Sequence, residues 1–584
     1  MLQKGELAQT EAVFVEMLQT QPDHADALHL LGIIAHRTAH HQHAIALIGR
    51  AIRVNPNNAA FYNNRGVALK AAMQPDAAVA SFDRAIALRP EYAEAYNNRG
   101  NALLELKKLD AALESYRRAV TIKPDAEFLF GTYLNAKMLV CDWESADECI
   151  HELTSRIQRH EKASSPFPVL AFTDSPARQR TAAALFVQAK YPSGTALGPL
   201  RKRVPGEKIR IGYYSSDFHN HATAYLTAKL FECHDKSRFE LIAFSFDAGQ
   251  QDEMRRRITA AFDTFLDVRM KSDEEVARLS RELGIDIAVD LKGFTEGSRT
   301  GIFAQRCAPL QVNYLGYPGS MGAEHMDYLI ADKTLIPQES RRHYSEKIVY
   351  LPDCYQVNDV TRKISDKNFT RAELGLPQTG FVYCCFNNNF KILPATFDCW
   401  MRILNEVEGS LLWLLEDNPT AAGNLRKEAE LRGVDAGRLI FVGRINLAEH
   451  LARQRVADLF LDTFPYNAHT TASDALWAGL PLLTCSGESF ASRVAASLLR
   501  AVGLPELITR TQQEYEARAI ELAKHPDKIS EVRFKLERNR LTTPLFDTLL
   551  FTRHIEAAYT AMYERSCAGM PVTQIEIERF LPSR

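Results

Sequence analysis

The chain has 584 residues, a formal net charge of −2 and a pI near 6.8, which allows roughly three or four domains and argues against a nucleic acid or other polyanion as the main partner. At 46% hydrophobic and 24% charged residues it reads as ordinary globular protein. Its ten cysteines are scattered with no C-x-x-C pair, which excludes the usual zinc and disulfide frameworks and fits free thiols in a reducing compartment. The opening MLQKGELAQTEAVF has no signal-peptide core, and no apolar run reaches ~18 residues. The expectation is a cytoplasmic protein without a membrane span.

The first third repeats itself. Pro22, Pro56, Pro90 and Pro124 follow one another at 34-residue steps, as do Gly32, Gly66 and Gly100. Ala44, Ala78 and Ala112 keep the step, and so does the large residue at Ile48, Phe82 and Tyr116. Small residues let two helices approach, the large one fills the gap, and proline ends the second helix. This pattern resembles the tetratricopeptide repeat and predicts an α-solenoid over 1–135. The chain opens on a helix resembling the second of a unit, whose apolar face would need cover. Asn63, Asn64, Asn97 and Asn98 recur on first helices, where their amides could bind a peptide backbone or merely face solvent. From 136 to 207 the period fades into a helical cap and a partly helical linker containing SSPFP, DSP and YPSG.

From Lys208 short β-branched runs alternate with helical stretches. IRIGYYSS, ELIAFSF, IDIAVDL, LQVNYLG, YLIAD and IVYLP form one set. FVYCCFN, SLLWLLE, LIFVG, LFLDTF and PLLTC form a second. Such alternation predicts two parallel sheets, hence two Rossmann-like lobes at 208–370 and 371–584, the second with a C-terminal helical tail. Ligands of such sheets sit at the carboxyl ends of strands. Neither G-x-x-x-x-G-K-[ST] nor G-x-G-x-x-G is present, so kinase, P-loop and ordinary dehydrogenase readings fall away.

Polar residues gather just past the predicted strands: His219 and His221, then Gly316, Gly319 and Gly322, Asn387, Asn388 and Lys391, Arg444, and finally His469, Thr470 and Thr471. The last group opens a helix within FPYNAHTTASDALWAGLP. A threonine there can simply cap the helix, or the open amides can receive a phosphate. Lysine plus a helix dipole can neutralise a leaving diphosphate, and no D-x-D motif at a strand end points to a metal. A histidine such as His221 can exchange a proton near neutral pH. Cys384 and Cys385 fit buried packing in a strand, and the GESF turn offers a glycine where backbone could approach a ligand closely.

Several motifs together resemble the O-linked N-acetylglucosamine transferases, glycosyltransferase family 41, in a bacterial form. They are SSDFHNHATAYL, DLKGFTEGSR, LGYPGSMGAEHMDYLIAD, YSEKIVYLP, CFNNNFKI, RINLAEHLARQRVADLFLD and NAHTTASDALWAGLPLLTCSGESFASRVAAS. The resemblance implies a GT-B fold and inverting transfer of N-acetylglucosamine from UDP-GlcNAc to Ser or Thr hydroxyls of proteins, without metal or other cofactor. It implies His221 as active-site histidine and Lys391 as the lysine that neutralises the diphosphate. Thr470 and Thr471 would hold the diphosphate, with His469 and Asn388 beside it. Asp474 would bind ribose, His450 and Arg453 would lie near ribose and base, and Gly319 beside the sugar. Protein acceptors would be recruited by the repeats and the cleft. Ala222, Tyr225, Asn388, Phe390 and Leu447 stand where the family carries other residues. The plant-type O-fucosyltransferases share the layout, so GDP-fucose is an alternative donor. A repeat adaptor with a decayed transferase half and a nucleotide-sugar sensor are further alternatives.

Overall fold

The computed structural model describes residues 4–580 apart from 193, 195–196, 201–206, 248 and 250. The chain divides into two compact units, the first essentially Met1–Val140 and the second from Cys141 onward.

The first unit is helical. Paired helices Ala25–Arg37 and His41–Val54, Ala59–Ala71 and Pro75–Leu88, and Ala93–Glu105 and Leu109–Ile122 repeat the 34-residue step, and Lys4–Thr20 and Leu129–Leu139 flank them. Helices end at Thr20, Val54, Leu88 and Ile122, each two residues before its proline, because the residue preceding proline is pushed out of the helical region. A Cβ on Gly32 would meet Ile48 at 2.4 Å, on Gly66 would meet Phe82 at 2.5 Å, and on Gly100 would meet Tyr116 at 2.6 Å. The repeating glycine therefore exists for the large residue of the next helix. The asparagines form a chain among themselves: Asn64 bonds His29 at 2.8 Å, and Asn98 donates to Asn63 Oδ1 at 3.0 Å. Asn63 is fully buried and also donates to Glu94 at 3.2 Å.

The second unit opens with helices Ala146–Gln158, Pro166–Phe172 and Pro176–Lys190. The first lobe then supplies β1 (Ile209–Ser215), β2 (Phe239–Ser245), β3 (Thr264–Asp267), β4 (Ile287–Asp290), β5 (Leu310–Asn313), β6 (Tyr328–Asp332) and β7 (Lys347–Leu351). The second lobe supplies β8 (Val382–Cys385), β9 (Leu411–Leu415), β10 (Leu439–Val442), β11 (Leu459–Leu461), β12 (Leu482–Cys485) and β13 (Ile508–Thr509), and β14 (Ile575–Glu576) follows. The sheets run β14-β7-β6-β5-β4-β1-β2-β3 and β10-β9-β8-β11-β12-β13, and every described pairing is parallel. These are the two Rossmann-like lobes of a GT-B protein. The helix Thr548–Cys567 and β14 fall in the tail that the sequence assigns to the second lobe. In the structure Ile555, Tyr559, Met562 and Ile575 enter the core of the first lobe with Ile211, Tyr213 and Val289.

In each sheet the strand order reverses once, between β1 and β4 and between β8 and β11. Crossover helices leave these neighbouring strands in opposite directions, which opens a crevice at their carboxyl ends. Among the described residues no helix is long and apolar enough to cross a membrane.

Candidate functional site

Both crevices carry the polar residues singled out in the sequence. In the second lobe β8 ends in Cys385, and the chain then turns through Asn387 and Asn388 into a 3-10 turn, Asn389–Lys391. Cys384 and Cys385 are buried, and burial lifts both thiols far above their usual range, so they pack and do not react. Beside it β11 is followed directly by Asp462, which sequence reasoning missed. Its carboxylate accepts from the amides of Thr463 at 2.8 Å and Ala468 at 2.6 Å and from Thr484 Oγ1 at 2.7 Å. Those bonds fold residues 463–468 into the loop that delivers His469. An acidic residue closing the strand LFLD was the available signal.

His469 stands at the N-cap of the helix Thr470–Ala478 and makes no side-chain cap bond. A capping threonine is therefore not what the structure contains. The first-turn amides of this helix keep no intrahelical acceptor. Thr471 Oγ1 donates to Asn387 Oδ1 at 2.5 Å, and Asn387 Nδ2 donates to Thr463 Oγ1 at 2.8 Å, which ties both strand ends to the helix mouth. His469 Nε2–H donates to the Ala491 carbonyl at 3.2 Å, leaving Nδ1 as an acceptor. Burial, then the nearby Lys391 charge, hold this imidazole neutral.

Lys391 Nζ donates to the Asn467 carbonyl at 2.8 Å and lies 3.8 Å from the Tyr466 ring centre. Burial lowers its pKa to about 8, with the Asp462 carboxylate opposing the shift. Asn388 accepts from Arg444 at 3.0 Å, and Arg444 is paired with Asp417.

Further along the same edge, Arg453 is only 1% exposed. Its Nε donates to His450 Nδ1 at 3.1 Å and its Nη1 to the Gly443 carbonyl at 2.9 Å, while Nη2 has no partner among the described residues. Accepting at Nδ1 puts the His450 proton on Nε2. Burial, followed by the charges of Arg453 and Arg444, takes the His450 pKa down to about 3. Asp474, one turn into the helix, is buried against Arg362, which comes from the segment joining the lobes. Arg362 also donates to Ser473 Oγ at 3.4 Å, and Ser473 bonds Asn358.

In the first lobe His221 caps the helix Ala222–Cys233 by accepting the Thr223 amide on Nδ1 at 3.2 Å. Asp217 Oδ2 lies 3.4 Å from the same nitrogen. Lys292, buried and also missed by sequence reasoning, donates to both Asp217 oxygens at 2.8 Å. The His221 side chain remains 41% exposed. Burial lowers its pKa, Asp217 opposes this, and Lys292 and His219 add to it. The helix that His221 caps packs against the helix Thr470–Ala478 of the other lobe. Gly319 ends the turn after β5, where Asn313 Nδ2 donates to its carbonyl at 3.3 Å. At the GESF glycine a carboxylate approaches closely: a Cβ on Gly487 would meet Asp174 Oδ2 at 2.1 Å.

Comparison with known proteins covers these elements. The family model described as glycosyl transferase family 41 matches residues 199–368 and 368–555, and a tetratricopeptide-repeat model matches 68–127. The probable UDP-N-acetylglucosamine–peptide N-acetylglucosaminyltransferase SEC of Arabidopsis thaliana is 35% identical over 460 residues, 75% of this chain and 47% of that protein. The UDP-N-acetylglucosamine–peptide N-acetylglucosaminyltransferase of Caenorhabditis elegans is 29% identical over 482 residues, 63% of this chain and 42% of that protein. The chain thus spans under half the length of these curated relatives. A mutant O-GlcNAc transferase of Thermobaculum terrenum superposes with a TM-score of 0.68 at 26% identity, covering 97% of this chain and 100% of that one.

Proposed function

The chain belongs to glycosyltransferase family 41, and from this we propose that it transfers N-acetylglucosamine from UDP-GlcNAc to Ser or Thr hydroxyls of proteins, with inversion and without a metal. The observation that carries the reading is the uncapped helix mouth at His469-Thr470-Thr471, set beside Lys391 at the crevice between β8 and β11. An anion at a helix N-terminus meets free amides and the positive end of the dipole. Lys391 adds a point charge.

In this mechanism the bond between the anomeric carbon and the diphosphate breaks, and its electron pair leaves on the phosphate. Lys391, Thr470, Thr471 and the first-turn amides stabilise that charge where it grows. Asn388 and Arg444 border the phosphate. Asp474 accepts from ribose hydroxyls, and His450 presents Nε2–H near the base, with Arg453 fixing its orientation. His469 Nδ1 accepts from the sugar or its phosphate, and Gly319 closes the sugar side. The acceptor oxygen attacks the anomeric carbon while His221 Nε2 takes its proton. That step needs the imidazole proton on Nδ1, so the ring gives up the Thr223 amide it accepts there and donates to Asp217 Oδ2 instead. The lysine and the helix mouth do the work a metal does elsewhere, which supports metal independence. The repeats support protein acceptors, and ten free cysteines support a reducing, cytoplasmic setting.

The deciding experiment is calorimetric titration of the chain with UDP and with GDP, each with and without EDTA, repeated on His469→Ala. UDP binding that survives EDTA and is lost in the variant is the expected outcome. A preference for GDP would replace UDP-GlcNAc by GDP-fucose, and binding of neither would remove the transferase reading.

A further inference from the structure

The helix Pro166–Phe172 and the turn after it belong to neither sheet, yet they reach the site from three directions. Phe167 packs on Phe390 and Tyr466, with ring centres 5.9 and 6.2 Å apart, and Tyr466 is the ring beneath Lys391. Leu170 lies 3.5 Å from where a Cβ on Gly319 would stand. The third contact is polar. Gln179 Nε2 donates to the Thr173 carbonyl at 2.8 Å and the Ser175 amide to Thr173 Oγ1 at 3.2 Å. These bonds fix a turn that projects Asp174 at residues 487–492.

Asp174 receives three hydrogen bonds there. The Glu488 amide donates at 2.7 Å, the Ser489 amide at 2.9 Å and Ser492 Oγ at 2.5 Å. Gly487 leaves the room this approach needs. Between Ser489 and Ser492 lies Ala491, whose carbonyl accepts from the Asn467 amide at 3.0 Å and from His469 Nε2 at 3.2 Å. The clamped turn thus holds both the His469 ring and the loop whose Asn467 carbonyl receives Lys391.

We propose that Asp174 is a positioning residue for donor binding: by clamping the 487–492 turn it places the Ala491 carbonyl that fixes the His469 imidazole with its proton on Nε2. A carboxylate suits the task because it accepts on every face and carries the charge that strengthens each bond. An amide in its place would turn its NH2 toward one of the two backbone donors, the Glu488 amide on Oδ2 or the Ser489 amide on Oδ1. The inference rests on the reading of His469 as a donor-binding residue, and its test separates the two.

The test is a double-mutant cycle of UDP affinity over Asp174→Asn and His469→Ala, together with nitrogen-15 spectra of the histidine rings. Asp174→Asn is expected to weaken UDP on the order of tenfold, and to add nothing when His469 is already alanine. The His469 signal is expected to pass from one Nε2–H tautomer to a mixture. Additive losses, or an unchanged affinity with an unchanged His469 signal, would overturn the proposal. If the wild-type chain binds neither UDP nor GDP, the donor reading fails while the ring spectra still decide what Asp174 does. Should Asp174→Asn not fold, Ser492→Ala removes one of the three bonds and is expected to shift the same signal part of the way. No shift in that variant would count against the clamp.

Discussion

Lys391 Nζ sits 3.8 Å over the centre of the Tyr466 ring and has an uncharged carbonyl, that of Asn467, as its hydrogen-bond acceptor. An ammonium held by a ring face and a carbonyl is positive but poorly neutralised. It is primed to gain from an anion and easily discharged without one.

The consequence is a pH dependence of donor affinity. Burial lowers the Lys391 pKa from an ordinary 10.5 to about 8. Diphosphate binds the protonated form, so affinity should be flat below this value. It should fall about tenfold per unit above it, until the pKa of the complex is passed. Lys391→Ala should weaken UDP at neutral pH and remove this limb. Titrations from pH 6.5 to 9.5 check both, and a wild-type affinity that rises with pH would contradict the assignment.

His221 makes a prediction of the opposite kind, in rate and not in binding. His221→Ala should lower kcat by about 100-fold or more while UDP affinity changes little. The base works unprotonated, and burial has lowered its pKa below 6.5. The acidic limb of kcat/KM should therefore lie below the usual histidine range. Asp217 raises this pKa and Lys292 lowers it. Asp217→Asn should accordingly slow transfer and move the limb to still lower pH. A limb that moves upward would show that another group is titrating.

Arg362 and Asp474 bury opposite charges against each other, at 2% and 9% side-chain exposure. Arg362→Met should cost on the order of 3–5 kcal/mol at pH 7, because an unpaired carboxylate stays buried. Burial already raises the Asp474 pKa, with Arg362 opposing, and loss of the partner raises it further. The folded variant then takes up a proton that the unfolded chain does not hold, so the deficit should shrink as pH falls toward 5. Urea unfolding at the two pH values measures it, and an equal deficit at both would locate the loss elsewhere.

What was legible in the sequence followed from periodicity and short-range chemistry. The 34-residue step gave the helix pairs, because each glycine answers a large residue sixteen positions later. Continuous apolar runs gave the interior strands. Thr264–Asp267, Ile508–Thr509 and Ile575–Glu576 escaped, being edge strands of two to four residues with little apolar pattern to detect. At the site, residues following strands could be found one by one. Most of the partners that orient them could not, Asp462 directly after its strand being the one with a local signal. Asp462 acts through a loop it folds, Lys292 reaches Asp217 across 75 positions, and Asp174 meets its turn more than 310 positions on. No local spacing encodes such pairs.

The path of the last helix has a bearing on how the molecule is made. Tyr559 Oη meets Tyr213 Oη at 3.0 Å, Glu556 accepts from the buried His234 ring at 3.0 Å and from the Asp235 amide at 2.7 Å, and Ile575–Glu576 pairs with β7. The lobe synthesised first is completed by residues that follow the second lobe in the chain. On the ribosome its sheet waits through the whole second lobe with an open edge and part of its apolar face uncovered. Domain-by-domain maturation in order of synthesis is thereby denied to it. A chain stopped between the lobes would release an unfinished half, prone to associate through that edge.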